Sequence, residues 1–124
     1  MANFKKSEIG KIEEIEKNYE NGKVFLHDIL NLTSSEISIT KMPKGTKLPF
    51  NHKHKQNEEI YIFLKGEGIF TIDGEKIEIK EGTLIKVLPE GIRTMEAKDD
   101  LEYICIQAKK DSLEQFGLGD GELC

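Results

Sequence analysis

Residues 45–66, GTKLPFNHKHKQNEEIYIFLKG, constrain this chain more than any other segment. His52 and His54 lie two residues apart, so in an extended strand both imidazoles point to the same face. Glu59 follows and begins a run of strand-forming residues that ends at Leu64. Two imidazoles and a carboxylate converging from adjacent strands are the ligand set of a 2-His-1-carboxylate metal site. The spacing therefore predicts His52, His54 and Glu59 as metal ligands.

With these residues in place, the chain resembles the cupin family. The first cupin motif is a glycine, five residues, His-x-His, three or four residues, Glu, six residues and Gly. This pattern is filled, with one extra residue before the first histidine, by Gly45, His52, His54, Glu59 and Gly66. The resemblance covers residues 23–108 and implies an all-β jelly-roll barrel (a double-stranded β-helix). It also implies a divalent transition metal, namely Fe, Mn, Ni or Zn.

The second cupin motif is incomplete. It consists of a glycine, five residues, Pro-x-Gly, two residues, His, three residues and Asn. Gly82, Pro89 and Gly91 fit, again with one extra residue, but the histidine position falls on Thr94 and the asparagine position on Lys98. A threonine hydroxyl is a poor ligand for a divalent transition metal. Two alternatives follow: a three-ligand site with water in the place of the fourth ligand, or a barrel without metal.

The turn pattern predicts the same fold class without the motifs. Short strands separated by turns every eight to twelve residues, with no long amphipathic helix, are typical of a β-sandwich or barrel. Asp73-Gly74 between two alternating runs predicts a hairpin, and residues 24–30 (VFLHDIL) read as a strand that contains His27. We expect a single domain over residues 1–124, with an N-terminal arm (1–22), the barrel (23–108) and a C-terminal extension (109–124).

Two aromatic residues follow the carboxylate on its own strand. Tyr61 and Phe63 share the face of Glu59 by the two-residue period of a strand, so we expect both to line the substrate cavity. Plain core packing is the alternative for Phe63. The hydroxyl of Tyr61 must find a partner if it is buried.

Three further polar residues are candidates for contact with a ligand. Lys86 interrupts the apolar residues 84–88, so we predict that it orients an anionic group; the alternative is that its ammonium reaches solvent at the rim. Thr94 is predicted to face the cavity. Arg93 should then face the opposite way by strand alternation, which ranks it below Lys86.

Composition limits the partners of the chain. It has 124 residues and a formal charge of −5, without a basic cluster, which argues against binding to nucleic acid or to an anionic membrane surface. No apolar run approaches the roughly 20 residues that span a bilayer. Charges occupy the place where a signal peptide has its apolar core, so we expect a cytoplasmic protein, in which Cys105 and Cys124 are reduced.

The sequence leaves two functions open. One is a metal-dependent enzyme of the dioxygenase, isomerase or lyase type. The other is a metal-free barrel that binds or senses a small metabolite, such as a sugar or an organic acid. In either case residues 60–64 are apolar on both faces, so the outer face needs the N-terminal arm or a second subunit to cover it. We therefore predict a homodimer.

Overall fold

The computed structural model describes residues 2–124 and contains eight strands, with little helix. A short α-helix, α1 (Leu26–Leu30), and three 3₁₀ helices (Ile12–Lys17, Glu20–Gly22 and Leu118–Asp120) lie outside the strands. The strands are β1 (Lys23–Phe25), β2 (Glu36–Met42), β3 (Asn57–Lys65), β4 (Glu67–Ile72), β5 (Glu75–Lys80), β6 (Leu84–Val87), β7 (Arg93–Ala97) and β8 (Leu101–Lys109).

The strands form two antiparallel sheets. One sheet has the order β1-β2-β8-β3-β6 and the other has the order β5-β4-β7. Alternate side chains of each strand enter the space between the sheets, as β3 shows with Glu59, Tyr61 and Phe63 buried and their neighbours half-buried. This arrangement confirms the all-β jelly roll. The core comprises Met42, Tyr61, Phe63, Phe70, Ile79, Val87, Met95, Ala97, Leu101, Tyr103 and Cys105.

The hairpin at Asp73-Gly74 is confirmed. It joins β4 to β5, with φ of 50° at Asp73 and 84° at Gly74, the pair of positive values that a type I′ turn requires. The Asp73 carboxylate also accepts a hydrogen bond of 2.9 Å from the backbone N–H of Ile92. This contact links the hairpin to the residues that precede β7.

The predicted strand over residues 24–30 is wrong beyond Phe25. The chain turns into α1 at Leu26, and Leu26, Ile29 and Leu30 have the three- and four-residue spacing of a helix face. Asn31 ends the helix in the left-handed conformation, with φ of 55°, and its N–H donates to the carbonyl of His27 over 2.9 Å. His27 is therefore an exposed helical residue.

The N-terminal segment is anchored on β2 by one buried residue and one lysine. Ile15, in the first 3₁₀ helix, has no exposed surface. Lys41 donates to the carbonyl of Glu13 over 2.7 Å and pairs with the carboxylate of Glu16 over 3.0 Å. The hydrogen bond from Lys41 lowers the pKa of Glu16.

Among residues 2–124, no helix combines the length and the apolar character that crossing a membrane requires.

Candidate metal centre

Backbone hydrogen bonds to two other parts of the barrel fix the histidine segment. The segment is not a regular strand. It forms an isolated bridge in which His52 and Arg93 each donate a backbone N–H to the other's carbonyl, over 3.1 and 3.0 Å. The N–H of His54 donates to the carbonyl of Pro89 over 3.0 Å. Both histidines are thereby held against the start of β7 and the turn before it.

The structure brings the three predicted ligands together. Nε2 of His54 lies 3.2 Å from Oε2 of Glu59, and Nε2 of His52 lies 3.9 Å from Oε1. One potential ligand atom from each residue lies within 4.8 Å of the other two. Glu59 is buried, at 3% exposure, whereas both imidazoles are partly open. The cluster is therefore reachable from its histidine side.

Within residues 2–124, each imidazole has a ring nitrogen that makes no hydrogen bond. Burial lowers the pKa of His52 below its usual value, although the nearby Glu59 carboxylate acts in the opposite direction. Among the described residues, Nε2 of His54 and Nδ1 of His52 are buried without a hydrogen-bond partner. A buried nitrogen without a partner is costly, and coordination of a cation by Nε2 of His54, which lies 3.2 Å from Oε2 of Glu59, would remove this cost at that nitrogen.

Three side chains donate to the carboxylate of Glu59. The Tyr61 hydroxyl and Nη1 of Arg93 both reach Oε1, over 2.8 and 3.0 Å, and the Cys105 thiol reaches Oε2 over 3.4 Å. Burial raises the pKa of Tyr61 well above its usual value and that of Cys105 to about 12. Both groups therefore keep their protons at neutral pH and act as donors.

Arg93 is the residue that sequence reasoning undervalued. Its side chain is 1% exposed, and Nη2 donates to the carbonyl of Leu88 over 2.7 Å. Nε has no hydrogen-bond partner within residues 2–124. The signal was present in the sequence, because Met95 and Ala97 are apolar and alternate with polar neighbours, which places Arg93 on the inner face of the same strand.

Two predicted pocket residues lie on the outer faces of the sheets. Lys86 is exposed and pairs in register with Ile60, while its neighbour Val87 enters the interior. Thr94 is half-buried opposite Thr71. Arg93, rather than Lys86, thus supplies the positive charge inside the barrel. Near the histidine position of the second motif, the side chain that lies beside the cluster is that of Arg93 and not that of Thr94.

The two aromatic residues differ in their roles. Tyr61 contacts the cluster directly through its hydroxyl. Phe63 is 1% exposed and stacks on Tyr61, with ring centroids 6.2 Å apart, so core packing describes it.

An open pocket of about 590 Å³ lies between the N-terminal segment, β2 and the loop before the histidines. Phe50 lines this pocket, and its ring lies edge-on to that of His52 at 5.8 Å. Tyr103 lines it too, 6.0 Å from the ring of Tyr61. Its size suits a small metabolite. A second cavity, of about 400 Å³, lies beside Gly68 and Lys98. His52, His54 and Glu59 line neither pocket, and within the described residues the first is connected to them only through Phe50 and Tyr103.

A family model described as a cupin domain matches residues 38–106, which is more than half of the chain and includes all three clustered residues. The chain belongs to the cupin family. Its match with the uncharacterized protein MJ1618 of Methanocaldococcus jannaschii is 45% identical over 49 residues, 40% of this chain, and the chain spans only 38% of that relative's length.

The chain is also similar to solved structures, of which two follow. The cupin protein BF4112 from Bacteroides fragilis is 41% identical, with a TM-score of 0.86, and the alignment covers 100% of this chain and 99% of that one. A predicted oxalate decarboxylase from Thermotoga maritima is 29% identical, with a TM-score of 0.56 over 59% of this chain and 64% of that one. The first likeness covers the whole chain and the second a little over half of it, and both support the cupin fold.

Proposed function

We propose that this cupin binds one divalent transition metal through His52, His54 and Glu59, and a small metabolite beside it. The observation that carries the proposal is the convergence of two imidazoles and one carboxylate, with ligand atoms within 4.8 Å. Metal–nitrogen and metal–oxygen bonds are about 2.0–2.2 Å long, so two ligands of one ion lie about 3–4 Å apart. The separations of 3.2 and 3.9 Å fit this requirement.

The donor set indicates which metals fit and leaves room for a ligand. Two imidazoles and one carboxylate suit Fe(II), Mn(II), Ni(II) or Zn(II), with two or three positions open to water or substrate. A metal in such a site supplies Lewis-acid polarisation of a carbonyl or activation of water or dioxygen. The likeness to the predicted oxalate decarboxylase favours a small organic acid over a sugar as the metabolite.

A metal-free binding barrel is the second candidate, and one observation favours it. The buried carboxylate of Glu59 already has a cation, the guanidinium of Arg93, at 3.0 Å. Charge compensation alone therefore does not require a metal. In this alternative the pocket beside Phe50 and Tyr103 would hold an organic acid or sugar without turnover.

Metal analysis separates the two candidates. Protein purified without a nickel column is stripped with a chelator and titrated with Mn²⁺, Ni²⁺ or Zn²⁺ in a calorimeter, and with Fe²⁺ under nitrogen. We expect His52→Ala to abolish binding and His27→Ala to leave it unchanged, since His27 is an exposed residue outside the cluster. Equal affinity in the wild type and His52→Ala would refute the metal site.

We also propose a single-domain, cytoplasmic homodimer that binds no nucleic acid. The homodimer is supported by the outer face of the larger sheet, where isoleucines lie side by side across three strands. They are all half-buried: Ile37, Ile39, Ile60, Ile62, Ile104 and Ile106. A second copy would cover this face.

A further inference from the structure

Arg93 stands beside the cluster at the place where the second motif would supply a ligand. Its Nη1 donates to Oε1 of Glu59, and its backbone is paired with that of His52 in both directions. A guanidinium has no lone pair to give a metal and carries its charge at every pH at which proteins are folded. A permanently charged guanidinium therefore lies where a fourth metal ligand would complete the site.

The surroundings hold this guanidinium firmly. Its side chain is 1% exposed, and Nη2 is held by the carbonyl of Leu88 at 2.7 Å. Moving Arg93 into solvent would require breaking the hydrogen bond to Leu88 and the buried ion pair with Glu59, and removing one member of such a pair is strongly destabilising. Arg93 must therefore stay close to Glu59 when a metal is present.

A metal ion and Arg93 would then share one carboxylate. Both are cations, and like charges held near each other in a buried site repel more strongly than in water. We propose that Arg93 is a built-in counter-ion that competes with the metal for Glu59 and keeps the metal affinity of this cupin low. The inference rests on the metal site proposed above. It makes the charge at residue 93 the feature that sets affinity.

The test compares two adjacent residues given the same new side chain. Arg93→His removes the cation and places an imidazole on the inner face, whereas Thr94→His places it on the outer face opposite Thr71. With chelator-treated protein and Mn²⁺ or Zn²⁺ in a calorimeter, we expect Arg93→His to lower Kd by at least about 10–100-fold, the range that changes around metal ligands produce. Thr94→His should leave Kd unchanged.

A charge-preserving variant separates charge from donor chemistry. Arg93→Met removes the charge without adding a ligand, and Arg93→Lys keeps the charge. We expect Arg93→Met to tighten metal binding by at least about tenfold and Arg93→Lys to bind as weakly as the wild type. Unchanged Kd in both Arg93→His and Arg93→Met would overturn the inference.

A measurement without metal protects the test against variants that fold poorly. Arg93→Met, Glu59→Gln and the double variant are unfolded with urea in the presence of chelator. If the two groups compensate each other, the double variant loses less stability than the two single variants together. Additive losses would overturn the inference.

The outcomes also distinguish this inference from the proposed function. Metal binding by the wild type that is lost in His52→Ala, combined with no gain in the Arg93 variants, refutes only the role of Arg93. No binding by the wild type but binding by Arg93→His or Arg93→Met supports the inference in its strongest form. No binding by any variant refutes both.

Discussion

Glu59 presents its two oxygens to different partners. Oε1 accepts hydrogen bonds from Tyr61 and Arg93, whereas Oε2 faces the unpartnered Nε2 of His54 and the thiol of Cys105. Oε2, whose hydrogen-bond donor is the weak thiol of Cys105 at 3.4 Å, is thus the oxygen more open to a cation. Oε1 is oriented by the Tyr61 hydroxyl, as groups around metal ligands commonly do, and is shared with the guanidinium of Arg93.

Loss of the Tyr61 hydroxyl tests this orientation. Tyr61→Phe removes a 2.8 Å hydrogen bond to a buried carboxylate, and hydrogen bonds to charged groups contribute about 1.5–3 kcal/mol. We expect the free energy of unfolding in urea to fall by about that amount. The control is Tyr19→Phe, because Tyr19 lies in the N-terminal segment and is not among the donors to Glu59. Equal effects of the two variants would show that the hydroxyl does not support Glu59.

At the scale of single residues, the sequence predicted the three clustered side chains but not their companion. His52, His54 and Glu59 follow from spacing because strand period and motif agree. Arg93 does not follow in this way, because the motif offset from Gly91 falls on Thr94 whereas the alternation of β7 turns Arg93 inwards, and a difference of one residue exchanges the two faces. Lys86 could not be assigned from pattern because apolar residues lie on both faces of β6.

At the scale of elements, two turn glycines can be compared to distinguish the cost of a left-handed backbone from the cost of a steric clash. Gly66 and Gly74 both have positive φ, of 93° and 84°. A Cβ at Gly66 would lie 2.0 Å from the carbonyl oxygen of Asp100, whereas one at Gly74 would meet nothing within 4 Å. Gly66 therefore needs to be glycine for two reasons and Gly74 for one.

The same substitution at both glycines measures the difference. We expect Gly74→Ala to cost about 1–2 kcal/mol of unfolding free energy, the penalty for a left-handed alanine. Gly66→Ala should cost clearly more, because β3, β4 or the residues before β8 must also move. Urea unfolding of the two variants side by side is the measurement, and equal losses would contradict the close approach to Asp100.

The elements that the sequence predicted best are those with turn chemistry at both ends. The pair β4–β5 has Asp73-Gly74 between two alternating runs, so the hairpin and its turn residues were both correct, although β4 begins at Glu67, earlier than the run that predicted it. Residues 24–30 had only a short apolar run, which fits a buried strand and a helix equally well. The helix is fixed by tertiary context and by the left-handed Asn31, neither of which appears in the periodicity.

At the scale of the whole molecule, one buried thiol and two buried tyrosine hydroxyls make the free energy of unfolding decrease at alkaline pH. Burial raises the pKa of Cys105 from 9.0 to about 12 and that of Tyr103 from 10.0 to about 12, and it raises that of Tyr61 as well. The folded protein therefore keeps protons that the unfolded chain has already released. The stability from these groups is complete below about pH 9 and falls as the pH rises towards 12.

Unfolding in urea between about pH 8 and pH 11 checks this dependence, with a loss of up to about 1.4 kcal/mol per pH unit for each group. Cys105→Ala should reduce the slope at the lower end of this range, where the thiol of the unfolded chain titrates first. Cys124→Ala, in the exposed tail, is the control and should leave the slope unchanged. A flat stability profile in the wild type would contradict the buried, protonated state of these side chains.

The outer face of the larger sheet gives the prediction at the scale of assembly. Ile62 lies between Ile104 and Leu84 in register, and Leu84 is 69% exposed. A charge placed here would be buried by a second copy and tolerated by a monomer. We expect light scattering to show a dimer of the wild type at micromolar concentration and a monomer of Ile62→Lys. Thr94→Lys, on the outer face of the smaller sheet, should remain dimeric. A monomeric wild type would leave the isoleucines as an ordinary exposed sheet face, and a dimeric Ile62→Lys would place the interface elsewhere.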